Sequence, residues 1–583
     1  MNPSVILTTE GGQICASLTA RVSQEWFSLF RQGCYQGGAR WVSASRKNLA
    51  PLYNAIRLKA AMESLGFVVQ VANDAAEDLA GAAIELRGVS EGVRERLLLA
   101  DGVLSLRGAR LAPYQAEGAE WIAPCDRALL GDQQGLGKTL QLLCAAPAGP
   151  VMVVCPSVAK GVWNREALAF RPDLTRKVLE GRGSAVWPAS GEVVILNYEL
   201  LPATWAELEA ARQADEELPD DASVDAFWNS VPEGCTLILD EAQFLKSNKT
   251  ARTARARSLI KAVLKQGGRV WGATGTPLLN RQLELWNLLT TLQLHREAFG
   301  DFLKFAELFG ALKGKWGQYV WPNPKDGVSP EIATRLKRVM LRRLRRDVLP
   351  QLPEKIRQDV PVEITAAARR MLDKVAADLA AKGITIEDAI AAAEMGRLAD
   401  PAFEELSRAN EELARAMIPA AIEIAESYEE AGEPLIVWSD HRAPVLAFRD
   451  RPGWATIEGG MSASQKTAAV EAFQAGKLKG IACSIRAGGT AITLTYACAE
   501  LFVDLSYVPG ENEQAEDRAV RHGQTRGVVC RRLVPDHILC QRKHEIITGK
   551  MELISGTVDA AAVVKATPKV AVEALEKLSR GEL

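Results

Sequence analysis

The chain has 583 residues, 48% of them apolar and 24% charged. That length exceeds what one hydrophobic core usually holds, and the composition excludes a largely disordered, collagenous or membrane-embedded chain. Seventy basic residues against 72 acidic ones give a net charge of -2, so a whole-chain cationic signal for a polyanion is absent.

The start, MNPSVILTTEGGQ, has no basic segment followed by an apolar run, and no stretch approaches ~18 uninterrupted apolar residues. The ten cysteines lack CxxC spacing, and the five histidines show no metal-ligand spacing. We therefore expect a cytoplasmic protein with reduced thiols, no zinc site and no membrane span.

In chain order, residues 1–105 read as a small N-terminal module. Residues 106–295 alternate apolar runs with helical patterns: VMVVC (151–155), VVIL (193–196), TLIL (236–239) and RVWGA (269–273) read as buried strands of a parallel sheet. Residues 296–427 are rich in Ala, Glu and Arg with helical periodicity, and read as a helical insertion. Strand–helix alternation returns over 428–550 in PLIVWS (434–439), GIACS (480–484) and LFVDL (501–505), and 551–583 reads as a helical tail. The expected fold is α/β: two parallel-sheet lobes, a helical insertion between them and the N-terminal module. Two charge runs stand out, cationic RLKRVMLRRLRR (335–346) and the acidic stretch 206–225. A solvated face or brace accounts for either, and sign segregation also permits a local basic track.

The run LLGDQQGLGKTLQLL (129–143) passes from apolar strand to Gly-bearing loop to helix, the context that a phosphate cradle requires. Gly135 and Gly137 allow backbone N–H groups to turn inward, and the following helix start adds positive potential. Lys138 is suited to the β- and γ-phosphates of ATP, and Thr139 to Mg²⁺. The strict pattern wants Gly where Asp132 stands. TLIL then runs into Asp240-Glu241-Ala242-Gln243, at the strand end where open parallel sheets place their chemistry. Asp240 suits the Mg²⁺ shell and Glu241 the polarisation of an attacking water. In QAEDRAVRHGQ (514–524), Gln514, Arg518 and Arg521 are spaced to share one face if the segment is helical. Two arginines there suit a finger on the γ-phosphate, an effect of roughly 10³–10⁵ in rate; a surface helix with acid–arginine pairs is the plainer account.

Taken together, these residues resemble the Snf-type branch of superfamily-two helicases, from about 111 to 534. LAPYQ (111–115), with Gly118 and Trp121, resembles the adenine-side motif, and GDQQGLGKT (131–139) motif I. Cys155-Pro156-Ser157 with Trp163 resembles motif Ia, followed by Asn197-Tyr198-Glu199. DEAQFLKS (240–247) resembles motif II, with Gln243 at the usual His, and GATGTPLLNRQLELWNLL (272–289) motif III. LRR (341–343), DVL (347–349) and LPEK (352–355) resemble the inter-lobe segment. Trp438-Ser439, IEG (457–459) and Phe473-Gln474 resemble the opening of the second lobe, SIRAGGTAITLT (484–495) motif V, and QAEDRAVRHGQ motif VI. Ala491, Val520 and Tyr507 depart from the usual Gly, His and Trp.

The resemblance implies two RecA-like lobes and an ATP-dependent translocase on double-stranded or branched DNA, with ATP and Mg²⁺ as cofactors. It implies an ATP site of Tyr114, Gln115, Gln134, Gly135, Leu136, Gly137, Lys138, Thr139 and Gln514, with Asp240, Glu241, Gln243, Arg518 and Arg521 acting on the phosphates. Ser157, Lys160, Tyr198, Thr274, Thr276, Ser484 and Thr493 would contact DNA phosphates, which position without reading sequence. A stretch of the N-terminal module, 37–57, faintly resembles accessory modules of annealing helicases; a strand–turn–helix core element around Trp41 explains it equally. A strand-separating or RNA-directed helicase, and a non-hydrolysing nucleotide-gated scaffold, are the alternatives.

Overall fold

The protein is described from a computed structural model that covers residues 2–10, 13–36, 39–42, 47–51, 55–72, 75–101, 111–181, 185–204, 206–209, 221–278, 281–313, 319–321, 329–349, 355–381, 401–488, 492–521, 523–563, 576–578 and 580. Most of the acidic stretch, residues 352–354, Ala491, His522 and parts of 37–57 lie outside the described residues, as does the side chain of Trp41. The chain divides into two compact units, Met1–Pro277 with Arg281–Leu344 and Thr557–Leu583, and Leu278–Asn280 with Arg345–Gly556.

The first unit holds two sheets. The N-terminal one is mixed, built from β1 (Ser4–Glu10), β2 (Gln13–Leu18), β3 (Arg40–Val42), β4 (Lys47–Pro51) and β5 (Val68–Val71) in the order β3-β4-β2-β1-β5. In β1 the alternation of Val5 and Leu7 with partly exposed neighbours puts one face into a core. That core is closed by helices Gln24–Gln36, Ala55–Ser64 and Ala75–Asp101 through Phe30, Leu58, Met62 and Leu79. The last of these helices serves both sheets: Leu79, Ala83 and Leu86 pack with the small sheet, and Val93 and Leu97 join the core of the large one. Arg96 pins it there, Nε donating to the Cys144 carbonyl at 2.7 Å.

The large sheet of this unit is all parallel. Its strands are β6 (Arg127–Leu130), β7 (Val151–Cys155), β8 (Thr175–Val178), β9 (Glu192–Asn197), β10 (Thr236–Asp240), β11 (Arg269–Ala273) and, beyond a small hairpin of β12 (Leu312–Lys313) and β13 (Tyr319–Val320), β14 (Met340–Leu341). The order β14-β6-β11-β10-β7-β9-β8 covers central strands on both faces, which is why β7 is buried at all five positions and reads as an unbroken apolar run.

The second unit has one six-stranded parallel sheet: β15 (Lys355–Val362), β16 (Leu435–Ser439), β17 (Trp454–Ile457), β18 (Gly480–Ser484), β19 (Ala499–Phe502) and β20 (Val528–Pro535), in the order β15-β20-β19-β16-β18-β17. Four strands, β12 to β15, come from the segment read as helical. Two residues are too few for a periodic signal in β14. The sequence KIRQDVPV of β15 is polar because that strand is an exposed edge, with charged side chains at three of its eight positions. The remainder of the segment is largely helical where described, including Ala366–Ala381, Pro401–Ala416 and Ile418–Glu430. Among the described residues no helix is long and apolar enough to cross a membrane.

Candidate active site

β6 delivers the loop 131–137 at its carboxyl end, and the helix Lys138–Ala145 follows. Gly135 and Gly137 lie in the left-handed region at φ 85° and 70°. A Cβ on Gly137 would also collide with the Gln115 amide, so this turn requires glycine twice over. Gln115 closes the other side: its Oε1 accepts from the Ala112 N–H at 2.9 Å, and its Nε2 leans on the Leu136 carbonyl at 3.4 Å.

Lys138 folds back into this loop, Nζ donating to the Asp132 carbonyl at 2.8 Å. Burial drives its pKa down, opposed by the negative charge of Glu241, Asp132 and Asp240. The ammonium group is thus held near two carboxylates at the end of β10. Burial, with Glu241 alongside, pushes Asp240 up to about 6, against the Trp163 indole, whose Nε1 donates to Oδ2 at 2.7 Å. The Glu241 N–H donates to Asp240 Oδ1 at 3.0 Å, and the Tyr198 hydroxyl to the Asp240 carbonyl at 2.8 Å. Glu241 itself takes φ 49° and ψ 50°, a conformation costly for a residue with a Cβ and typical of positions where function over-determines the backbone. Gln243 Nε2 donates to Glu241 Oε2 at 2.6 Å.

Three buried amide atoms here have no partner: Oε1 and Nε2 of Gln134, and Oε1 of Gln243. An orphaned buried amide costs about 1–3 kcal/mol per group and marks a place where something polar is meant to bind. The donor set fits a nucleotide with Mg²⁺: a hydroxyl at Thr139, a carboxylate at Asp240, and a metal that retains waters and uses one or two carboxylates beside phosphate oxygens.

Asp132, which breaks the sequence pattern, is the anchor of the loop. It is fully buried and paired with Arg343, whose Nε lies 3.1 and 3.2 Å from its two oxygens. Arg343 also donates to Gln141 Oε1 at 2.7 Å and to the Tyr114 carbonyl, and stacks over the Tyr114 ring. Gly118 leaves room for this cluster. Arg342 donates to the carbonyls of Gly131 and Gly275 at 2.7 and 2.8 Å and pairs with Asp559. Trp163, Arg342 and Arg343 are thus site-building residues; the sequence reading placed the first in motif Ia and the arginines in a cationic run suited to a brace or a basic track, and assigned none of them to the ATP site. The signal was a second polar residue where a glycine belongs, which demands a buried partner.

Several of the expected phosphate contacts are buried. Tyr198 and Thr274 are 2% and 0% exposed; the tyrosine hydroxyl is engaged by Asp240, and Thr274 Oγ1 accepts from the Thr276 N–H at 3.0 Å. Thr276 is buried as well. These three build the lobe's interior edge. Ser157 is exposed, and Lys160 donates to the Leu179 carbonyl at 2.9 Å.

In the second unit the helix Pro509–Glu516 stops before the arginines, so Gln514, Arg518 and Arg521 do not share a helical face as their spacing suggested. Arg518 lies in the following turn, 2% exposed, with its backbone carbonyl accepting from the Leu494 N–H at 2.9 Å. Arg521 Nη1 donates to Thr493 Oγ1 at 3.0 Å and Nε to the Asp517 carbonyl at 3.2 Å, so Thr493 supports an arginine. Ser484 closes β18 and is half-buried. Asp517 and Glu516 are tied to cations from three other elements: Arg345 and Lys355 reach Asp517, and Lys355, Arg357 and Arg532 reach Glu516.

Residues 114–400 match the SNF2-related domain, and residues 422–523 the helicase conserved C-terminal domain. A Caenorhabditis elegans homolog of SWI/SNF-related matrix-associated actin-dependent regulator of chromatin subfamily A-like protein 1 is 29% identical over 77% of this chain and 63% of its own length. The Bos taurus protein named DNA annealing helicase and endonuclease ZRANB3 is 25% identical over 77% of this chain and 41% of its own. The solved Sulfolobus solfataricus SWI2/SNF2 ATPase core in complex with double-stranded DNA aligns at 20% identity and TM-score 0.34, covering 82% of this chain and 96% of that one. The chain spans about two fifths to just under two thirds of the length of such curated relatives. With both domains matched in order around the loop and carboxylates just described, the chain belongs to the SNF2-related family.

Proposed function

We propose that the chain hydrolyses ATP to move along double-stranded DNA, with branched DNA as its favoured substrate and a cytoplasmic place of work. The observation that carries this reading is the cluster at the ends of β6 and β10: a buried lysine facing two carboxylates, one on a strained backbone, beside three unpartnered amide atoms. Bound ATP supplies a phosphoanhydride, and Mg²⁺ neutralises its developing charge. Tyr114 and Gln115 flank the base side, and residues 134–139 offer backbone N–H groups and the Lys138 ammonium to the phosphates. Thr139 and Asp240 would hold the metal. Glu241 orients and deprotonates water, with Gln243 fixing its carboxylate. Arg518 and Arg521 are the guanidinium groups proposed for the γ-phosphate. Ser157, Lys160 and Ser484 remain proposed backbone contacts. The name of the annealing-helicase relative supports the branched-DNA part.

The test is ATP turnover with duplex, single-stranded and forked DNA and with RNA, at one fixed salt concentration. Duplex or forked DNA should stimulate most, and Lys138→Ala or Glu241→Gln should remove roughly 10²-fold or more of that rate. Turnover indifferent to nucleic acid, or highest on RNA, would defeat the reading.

A further inference from the structure

At the amino end of β6 in the first unit lies a second cavity, of about 560 Å³. Arg127 on its wall opens β6, the strand whose other end becomes the phosphate loop. Four residues of strand, at ~3.3 Å each, separate the two ends, so the cavity is a different place from the site above. Arg257 and Lys261 reach it from the helix Ala251–Lys265, one turn apart, and Arg296 from the short helix His295–Ala298. One carboxylate, Glu297, shares the wall with these four cations, and Arg127 is paired off the wall with Asp126 at 3.3 Å, which leaves three cations against one carboxylate. A cavity with that imbalance concentrates anions.

Its wall carries two further oddities. Thr290 Oγ1 and His295 Nδ1 are buried and have no partner, though both residues line the cavity. Gln293, also on the wall, has φ 57°, and with Glu241 it makes up the non-glycine residues in the left-handed region among those described. The pairing of strained backbone with orphaned polar atoms at the Asp240–Glu241 turn is thus repeated here.

The histidine refines the chemistry of the occupant. Burial, helped by Arg296 and Arg127, drives its pKa down to about 4, so the ring is neutral at pH 7. A neutral imidazole keeps one nitrogen as an acceptor, and the unpartnered Nδ1 can take that role here. A fully ionised phosphate has no hydrogen to offer that nitrogen. A sugar hydroxyl has one, and Thr290 can accept or donate beside it. The volume lies within the usual range for small-molecule sites, about 300–1,000 Å³.

We propose that this cavity binds a nucleoside phosphate, its phosphate held by Arg257, Lys261 and Arg296 and its sugar hydroxyl by His295 and Thr290. The phosphate comes either from a free nucleotide or from the end of a DNA strand, and the site is independent of ATP turnover at Lys138.

The experiment uses the full chain carrying Lys138→Ala, so that binding at the phosphate loop does not mask the cavity. Two probes are titrated calorimetrically at low salt, dTMP and a 5′-phosphorylated dT8, each against the same chain with Lys261→Glu and Arg296→Glu. Both residues are exposed, so their reversal leaves the fold intact. Lys265→Glu, on the same helix but off the cavity wall, carries the change in net charge of one such reversal and controls for it. The double reversal should weaken binding tenfold or more, and Lys265→Glu should change it less than twofold. If dTMP shows the effect, a free nucleotide suffices; if dT8 alone shows it, the source is a strand end. Inorganic phosphate should bind at least tenfold more weakly than dTMP, and equal binding would overturn the role given to His295 and Thr290. No binding of either probe, or binding indifferent to the double reversal, overturns the proposal.

Discussion

In the second unit, Glu516 is fully buried among Lys355, Arg357 and Arg532, with contacts of 2.6–2.8 Å to all three. Burial alone would raise its pKa, but the three cations hold it well below the usual carboxylate range. In the first unit, the carboxylates at the end of β10 face one buried lysine whose ammonium already leans on a backbone carbonyl, and Asp240 is pushed up instead. Both clusters bury charge. In one, three cations meet the carboxylate directly, although Arg532 Nε has no partner; in the other, amides are orphaned and the backbone is strained. The Glu516 cluster fixes the turn that carries Arg518 and Arg521, while the other waits for phosphate and metal. What separates the two is whether the carboxylate itself is met by cations: Glu516 is, and Asp240 is not.

The sharpest way to break this contrast is Glu516→Gln. Removing the charge leaves Arg357 and Arg532 without the carboxylate they contact, and Lys355 with Asp517 alone, at a buried site, and such a loss costs about 3–5 kcal/mol. Denaturant unfolding should show a matching drop in stability. A loss below ~1 kcal/mol would mean that the cluster is as loosely matched as the one at Asp240.

A second comparison lies within the same sheet. Glu500 on β19 is fully buried with no cation in contact; Trp438 Nε1 and the Cys530 thiol donate to its oxygens at 3.2 and 2.8 Å. Burial pushes its pKa up to about 8, against an ordinary 4.5, so it is protonated at pH 7. Between those values the folded state binds the proton and the unfolded state has released it. Stability from this group is therefore complete below about pH 4.5 and falls as pH rises to about 8, at a slope of about 1.4 kcal/mol per pH unit. Glu516 does the reverse, losing stability as pH falls. Glu500→Gln should flatten the descending slope in unfolding measured from pH 5 to 8. An unchanged slope would place the titration elsewhere.

The strands β7, β10, β16 and β18 were legible because both of their faces are buried and their composition shows it. The phosphate loop and the acid pair were legible because their chemistry demands fixed residue types at fixed spacing. What escaped were the features set by long-range contact. Asp132 looked like a flaw in a pattern until Arg343, 211 positions away, was seen to cover it. Tyr198 and Thr274 have the polar tips of phosphate contacts, but only the fold shows that those tips are turned inward. The arginine spacing in motif VI suggested a helix, and the chain leaves the helix one residue before Asp517 because Arg345 and Lys355 hold that carboxylate in a turn.

The smallest expected effect is also the most discriminating. Gln134 is 4% exposed, and neither atom of its amide has a partner. A residue kept for stability would not be left so, since two desolvated polar atoms each act against folding. Gln134→Met preserves the unbranched shape, which matters because Gly275 packs directly against the glutamine Cγ and a branched side chain would collide there. The substitution removes the unsatisfied amide and should raise stability by about 1 kcal/mol while weakening ATP binding several-fold. Opposite signs in the two measurements are the signature of a side chain retained for a ligand. If stability falls, the amide has a partner in the folded state, and the Lys138 pocket is held together like the Glu516 cluster. If stability rises and ATP binding is unchanged, the orphaned amide belongs to the loop alone, and Gln243 becomes the remaining amide that distinguishes this pocket.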